Sequence, residues 1–346
     1  MMNEKAPAGA VVVHLECGLT VAALRREHLT FPLAIGPLWF STEEPERADW
    51  LVETSFITHA VATRVPRERR LLLVTEPVGN FTPRYVNQFG ILVSPFNVAG
   101  YRGIWHQSHA ALANWFADRA GESLDYRRLV DLAVPQKQDI VSVVTTRKSV
   151  FPGHRLRLRF LRALRDVLGP RLAIYGFGFR VIGDKAEAIL PAKYHLVLEN
   201  TAMPSYWTEK LADAYLGYAL PIVAGPPDLD RWFPPESFVP IDLRQPEAAI
   251  ATVVRVLDGD IYASRLPAII AARTRLMRDE RIGPLVARVI AAHPNNAPRL
   301  AAAETITPLP RAPLARRIGR EASRLFWRID EGIRNRLHRD GDASGA

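Results

Sequence analysis

Residues Tyr194 to Ala224 read YHLVLENTAMPSYWTEKLADAYLGYALPIVA. The run from Tyr194 to Glu199 is apolar without polar alternation, the pattern of a strand buried on both faces. Glu209 to Ala219 has the spacing of a helix, and Pro221 to Ala224 is a second short apolar strand. Asn200 to Thr208, with Pro204, Ser205 and Thr208, is then a loop ending in candidate N-caps. Strand, loop, helix and strand in this order predict a parallel sheet. In such sheets ligands lie beyond the carboxyl ends of the strands, where this loop would sit.

The same rhythm continues upstream, with Ile140 to Val144 a strand, Gly153 to Leu168 a helix and Arg171 to Tyr175 a strand. Val134 to Asp139 is polar, carries Pro135 and reads as a linker. Before it, Val11–Val13, Arg70–Thr75 and Ile91–Val93 are apolar runs, and His106 to Asp118 reads as helical. The expected fold class is α/β with two domains, 1–135 and 136–300, followed by a basic tail, 301–346. In the tail, Leu314, Ile318, Ala322, Leu325, Ile329, Ile333 and Leu337 form one apolar face among nine arginines between Arg311 and Arg339. Such a helix suits an anionic membrane surface, or packing on its own protein or a second subunit.

The 346 residues are 48% apolar and 23% charged, enough for sizeable cores. A formal charge of +9 predicts an anionic partner without choosing among nucleic acid, membrane and phosphorylated small molecule. The single cysteine, Cys17, excludes an intrachain disulfide and favours a reducing compartment. Ala6 to Leu15 reads as a first strand and not a signal peptide, and no window is apolar enough to span a membrane. A cytoplasmic protein, peripheral on the inner membrane face if the tail docks there, is the expectation.

A helix opening at Glu209 presents unpaired N–H groups and a partial positive charge, a setting for phosphate. Lys210 in its first turn opposes the helix dipole, which predicts an anionic ligand as compensation. Glu209 as an ordinary first-turn acid and Lys210 as a solvent-facing side chain are the simpler alternatives.

From Lys193 to Leu243 the chain resembles the donor-binding signature of the α-1,3/1,4-fucosyltransferases, glycosyltransferase family 10. The matching residues are Glu199-Asn200, Tyr206, Thr208-Glu209-Lys210, Pro221-Ile222-Val223, Gly225 and Pro235-Glu236-Ser237-Phe238. Ser142 to Val144, Gly153 to Leu161 and Asp184-Lys185 extend the resemblance upstream. Thr75-Glu76-Pro77, Tyr85, Phe89 and Ser94 resemble the acceptor-side region, with Glu-Pro where the family has Glu-Ser-Pro. The resemblance implies a GT-B architecture, two facing Rossmann-like domains with parallel sheets. It also implies inverting, metal-independent transfer of L-fucose from GDP-fucose to a saccharide hydroxyl, with GDP-fucose as donor substrate and no cofactor. The acceptor would be an oligosaccharide or glycolipid, in protein glycosylation or surface polysaccharide synthesis.

By the same resemblance Arg157 and Lys210 bind the diphosphate, and Glu209 contacts the sugar or ribose and steadies oxocarbenium-like charge. Asn200 and Tyr206 complete the donor pocket. Arg157 lies among Arg155, Arg159 and Arg162, so a merely solvated basic face is the alternative, and Tyr206 would serve equally as a core aromatic. Glu76, at a strand end before a proline, is the candidate general base; Glu43, Glu44 and Glu46 form an alternative acidic cluster. Asp228-Leu229-Asp230 has the form of a metal motif in a segment read as structural. Gly176-Phe177-Gly178 lacks the rest of a dinucleotide fingerprint, and His106 and His109 lack a third metal ligand. Rival functions are transfer from another nucleotide sugar on the same scaffold, or a non-catalytic basic protein binding membrane or nucleic acid. Sparse aromatics in the tail, Phe326 and Trp327, argue against single-strand binding, so no nucleic acid is expected.

Overall fold

The computed structural model describes residues 5–16, 34–42, 45–54, 59–74, 81–110, 126–147 and 152–308. Cys17, Glu43, Glu44, Glu76 and the arginine-rich tail lie outside them.

The first sheet is built from β1 Val11–Glu16, β2 Ala34–Ile35, β3 Leu38–Ser41, β4 Trp50–Thr54, β6 Arg70–Leu73, β7 Ile91–Ser94 and β8 Ile104–Gln107, while β5 Val61–Thr63 stands apart. Its order is β2-β3-β1-β4-β6-β7-β8, parallel except for the β2–β3 pair. Short helices α1 Pro83–Val86 and α2 Tyr126–Asp131 follow β6 and β8. His106 and Gln107, read from sequence as opening a helix, lie instead in the edge strand β8, and residues 111–118 of that reading lie outside the described residues. His106 and Gln107 pair in register with Val93 and Ser94, and this pairing decides their conformation.

The second sheet comprises β9 Gln138–Val144, β10 Leu172–Tyr175, β11 Ala192–Leu198, β12 Leu220–Ala224 and β13 Val239–Pro240, in the order β10-β9-β11-β12-β13, all parallel. The expected strand-helix alternation is present: α3 Pro152–Leu168 follows β9, α4 Ala186–Ile189 precedes β11, and α5 Glu209–Leu216 joins β11 to β12. Tyr194, Leu196, Val197, Leu198, Leu220 and Ile222 are almost fully buried, which is why these strands read as unbroken apolar runs. Helices α6 Pro246–Asp258 and α7 Tyr262–Asp279 complete this core through residues such as Val253, Ile269 and Leu276.

The chain then returns to the first sheet. Helix α8 Ile282–Ala292 presents Ile282, Leu285, Val286 and Val289, one face of a 3.6-residue period, to Val13, Val52, Leu71 and Leu73. A last strand, β14 Glu304–Ile306, pairs antiparallel with β5 and buries Ile306 beneath the first sheet. The sequence reading carried the second domain to 300 and began the tail at 301. Residues 282–306 instead pack with the first sheet, because an amphipathic face states that it needs an apolar partner but not which one. None of the described helices is long and apolar enough to cross a membrane.

Truncating a buried leucine on α8 should therefore unsettle the first sheet and spare the second. Leu285→Ala should cost about 2–5 kcal/mol. Hydrogen exchange should show protection falling in β1 and β4 while β11 and β12 keep theirs. Loss in β11 and β12 instead would contradict the assignment of α8.

Candidate functional site

In the second sheet the chain runs from β9 outward to β10 and then returns past β9 to β11. The point where strand order reverses therefore lies between β9 and β11. Crevices of open parallel sheets form at that switch point, outside the carboxyl ends of the two strands. Both strands here lead into helices, β9 into α3 and β11 into α5. The two connections meet: a Cβ placed on Gly153 would lie 3.6 Å from the carbonyl oxygen of Asn200. Two helix N-termini are thus gathered at one crevice.

The loop from Glu199 to Thr208 is built around a buried carboxylate. The Glu199 side chain is 0% exposed. It accepts 2.8 Å hydrogen bonds from both the amide and the hydroxyl of Thr208, and Lys210 Nζ lies 3.3 Å away. Thr208 is also the N-cap of α5, accepting from the Lys210 amide, as its residue type predicts. Ser205, held at φ 60°, is fixed by Asp228, which accepts from its amide at 2.6 Å and its hydroxyl at 3.0 Å. Asp228 thus anchors the loop, in keeping with the structural reading of Asp228-Leu229-Asp230.

Lys210 answers the question its position raised. Its ammonium pairs with Glu199 at 3.3 Å and Glu209 at 3.5 Å, so two carboxylates of the protein compensate the cation at the helix start. Lys185 extends the network, 3.8 Å from Glu209 and 2.7 Å from the buried Asp213. Burial alone would raise the Glu209 carboxyl, but Lys210 and Lys185 hold it below the usual range. Burial would lower Lys210, yet Glu199 and Glu209 raise it, so it stays charged. Burial pushes Glu199 up, against the pull of Lys210.

Arg157 contrasts with this crowded lysine. It lies four residues after Gly153, on the face of α3 that meets Asn200. Its Nε is buried with no hydrogen-bond partner among the described residues, and burial lowers its pKa. The hydroxyl of Thr145, just past β9, is likewise buried without a partner among them. Of the residues singled out from sequence, Asn200, Glu209 and Lys210 gather on the α5 side of the crevice and Arg157 on the α3 side. Tyr206 is only 1% exposed, so it supports the loop from within and offers no surface to the crevice. Lys185 was visible in the sequence, but nothing there showed that α4 would bring it to Glu209.

The first sheet reverses its strand order at β1, between β3 and β4, and two acids stand side by side at that carboxyl edge. Glu16 and Glu53 are register partners on β1 and β4. Glu53 is fully buried; Tyr85 Oη donates to it at 2.6 Å, and its other oxygen has no partner among the described residues. Burial raises its carboxyl to about 7, opposed by the Tyr85 hydrogen bond and reinforced by Glu16. Glu53 was overlooked in the sequence; its one signal is an acid closing the apolar strand Trp50-Leu51-Val52. His106 and His109, set aside as metal ligands, pack elsewhere: His106 edge-on to His293, and His109 stacked 4.1 Å from Trp207.

Comparison with known proteins bears on the same region. Residues 135–264 match the family model described as glycosyltransferase family 10 (fucosyltransferase) C-term. Human 4-galactosyl-N-acetylglucosaminide 3-alpha-L-fucosyltransferase FUT6 is 31% identical over 109 residues, 30% of this chain and 30% of its own length. Human 3-galactosyl-N-acetylglucosaminide 4-alpha-L-fucosyltransferase FUT3 is also 31% identical over 109 residues, again 30% of each. The chain thus spans about a third of the length of the curated relatives it matches. A solved alpha1,3-fucosyltransferase with GDP-fucose superposes with a TM-score of 0.49 at 16% identity, covering 87% of this chain and 94% of that one. TarM superposes with a TM-score of 0.44 at 8% identity, covering 71% and 54%.

Two measurements test this geometry. Removing Lys210 strands a buried carboxylate, so Lys210→Ala should cost about 3 kcal/mol. The same substitution made in Glu199→Gln should cost far less, the difference being read by a double-mutant cycle in denaturant. For Glu53 the folded carboxyl keeps its proton to about 7 against 4.5 unfolded, so its contribution is full below pH 4.5 and fades as pH rises through 7. Relative to Glu53→Gln, the wild type should lose about 3 kcal/mol over that window. A parallel pH dependence in both proteins would show that Glu53 titrates normally.

Proposed function

We propose that the crevice at the β9–β11 switch point binds a sugar nucleotide. On this reading the chain transfers L-fucose from GDP-fucose to a hydroxyl of a saccharide acceptor, inverting the anomeric carbon without a metal ion. The family match over 135–264 supports fucose transfer, and the observation that carries the reading is the pairing of two helix N-termini with Arg157 at one crevice. In this reaction the acceptor oxygen bonds to the anomeric carbon as the bond to the β-phosphate oxygen breaks. GDP departs with the electron pair, and the acceptor proton passes to a carboxylate.

The developing charge on the diphosphate needs fixed donors. Backbone N–H groups opening α3 and α5 supply dipoles, and Arg157 supplies a forked guanidinium whose Nε is open. Lys210 contributes charge from behind, shared with Glu199 and Glu209. Glu209, quarter-exposed and ionised, is placed to accept from a ribose or fucose hydroxyl, and Asn200 is exposed at the mouth. Glu76 is proposed as the base. It follows β6 in the sequence, and β6 pairs with β4, the strand that carries Glu53. The arginine-rich tail, in the same proposal, holds the enzyme on an anionic membrane near a lipid-borne acceptor.

The test is GDP release from GDP-fucose, with GDP-mannose and UDP-galactose as rival donors and a lactosamine-type acceptor present or absent. Arg157→Ala should lower kcat by about 10²-fold with its melting temperature unchanged, the scale of losing one fixed donor. Glu76→Ala should lose at least 10²-fold in acceptor transfer while keeping donor affinity. Turnover of a rival donor in preference to GDP-fucose would replace the donor assignment, and absence of binding by any of the three would overturn the reading.

A further inference from the structure

The chain crosses between its two halves twice, and the return crossing, from α7 to α8, borders a cavity that the proposed reaction does not use. The cavity holds about 570 Å³, within the range of small-molecule sites. On one side it is lined by His106, Gln107 and Ser108 at the end of β8, and on the other by Trp232, Arg275, Arg278 and Arg288.

Its polar groups are mostly donors, and several are unmatched. Ser108 is 1% exposed and its hydroxyl has no hydrogen-bond partner among the described residues; the indole Nε1 of Trp232 is buried in the same condition. Burying such groups unpaired is unfavourable. Asp279 and Glu280 also line the cavity, but both are committed: Arg278 Nη2 lies 2.6 Å from Asp279, and Arg275 and Arg288 share Glu280 at 3.5 and 3.1 Å. Three guanidinium groups against two carboxylates leave one positive charge over, along with guanidinium N–H groups that no carboxylate uses. Against the effect of burial, neighbouring His109 and the charges of Arg288 and Arg275 keep Glu280 ionised, and Arg288 donates to it at 3.1 Å, so it is an acceptor already spent.

We propose that this cavity is a second binding site, for a small organic phosphate, in which Ser108 and Trp232 donate to phosphate oxygens and Arg278 and Arg288 neutralise them. A phosphate monoester carries the several acceptor oxygens and the negative charge that this lining lacks. Because residues from β8, from the segment after β12 and from both helices of the crossing meet around it, an occupant would bridge the two halves.

Calorimetric titration of the full chain with glucose 6-phosphate, with glucose as the neutral control, tests this. We expect saturable one-to-one binding of glucose 6-phosphate and none of glucose. Ser108→Ala should weaken binding several-fold while leaving the fold as stable or more so, since it removes an unpaired buried hydroxyl. Arg278→Ala, at a largely exposed side chain, should weaken it about tenfold. Absence of binding, or equal binding by glucose, overturns the proposal. So does weakening by Arg157→Ala with no effect of Ser108→Ala or Arg278→Ala, which would put the anion in the β9–β11 crevice.

Discussion

A carboxylate with no exposed surface, Glu199, fixes the geometry of the second domain's crevice. A bare charge at that depth would be prohibitive, so its partners are constrained as tightly as it is. Thr208 supplies an amide and a hydroxyl, and Lys210 supplies the countercharge. Both partners sit at the first turn of α5, so satisfying Glu199 also sets where that helix begins and where its N-terminus points. Gly225 belongs to the same constraint: a Cβ there would stand 3.2 Å from Glu199 Cγ, leaving little room for any larger residue.

This arrangement divides the work of binding an anion. The lysines of the crevice, Lys185 and Lys210, are outnumbered by Glu199, Glu209 and Asp213, so the cluster as a whole does not attract a diphosphate. On the proposed function, attraction of a diphosphate falls to the helix N-termini and to Arg157, which has no acid of its own within the cluster. A network that neutralises its own lysines thus stands beside an arginine whose buried Nε has no hydrogen-bond partner among the described residues.

Much of this was legible in the sequence, and the reasons are physical. Strands buried on both faces must be apolar throughout, so β9 to β12 announced themselves, and Thr208 is a cap by its chemistry. Asn200, Tyr206, Glu209 and Lys210 stood in one short stretch because one loop and the helix it opens carry them. What the sequence concealed was pairing across the fold. Lys210 and Glu199 are both in the quoted run, yet only the folded loop shows that one compensates the other. The face of α8 was plain while its destination was not, and His106 and Gln107, read as opening a helix, pair instead at the sheet edge. Glu53 gave no sign beyond its place at a strand end, since what distinguishes it is burial beside Tyr85.

The two halves are tied together close to the site, and by polar groups. The amide of Ala110, just past β8, donates to the carbonyl of Trp207 at 3.1 Å, and His109 stacks on the Trp207 ring. His109 in turn faces Glu280 at the return crossing, where Arg275 from α7 and Arg288 from α8 converge on the same carboxylate. Glu280 is held down at about 2 by His109 and the arginines against the effect of burial, so this junction keeps its charge across the physiological range. Trp207 is the neighbour of Thr208, which carries Glu199. A displacement of one half against the other would therefore act first on the loop that positions α5, through a short chain of named contacts: Glu280, His109, Trp207, Thr208. The strain of any domain movement would fall on the element that sets the crevice.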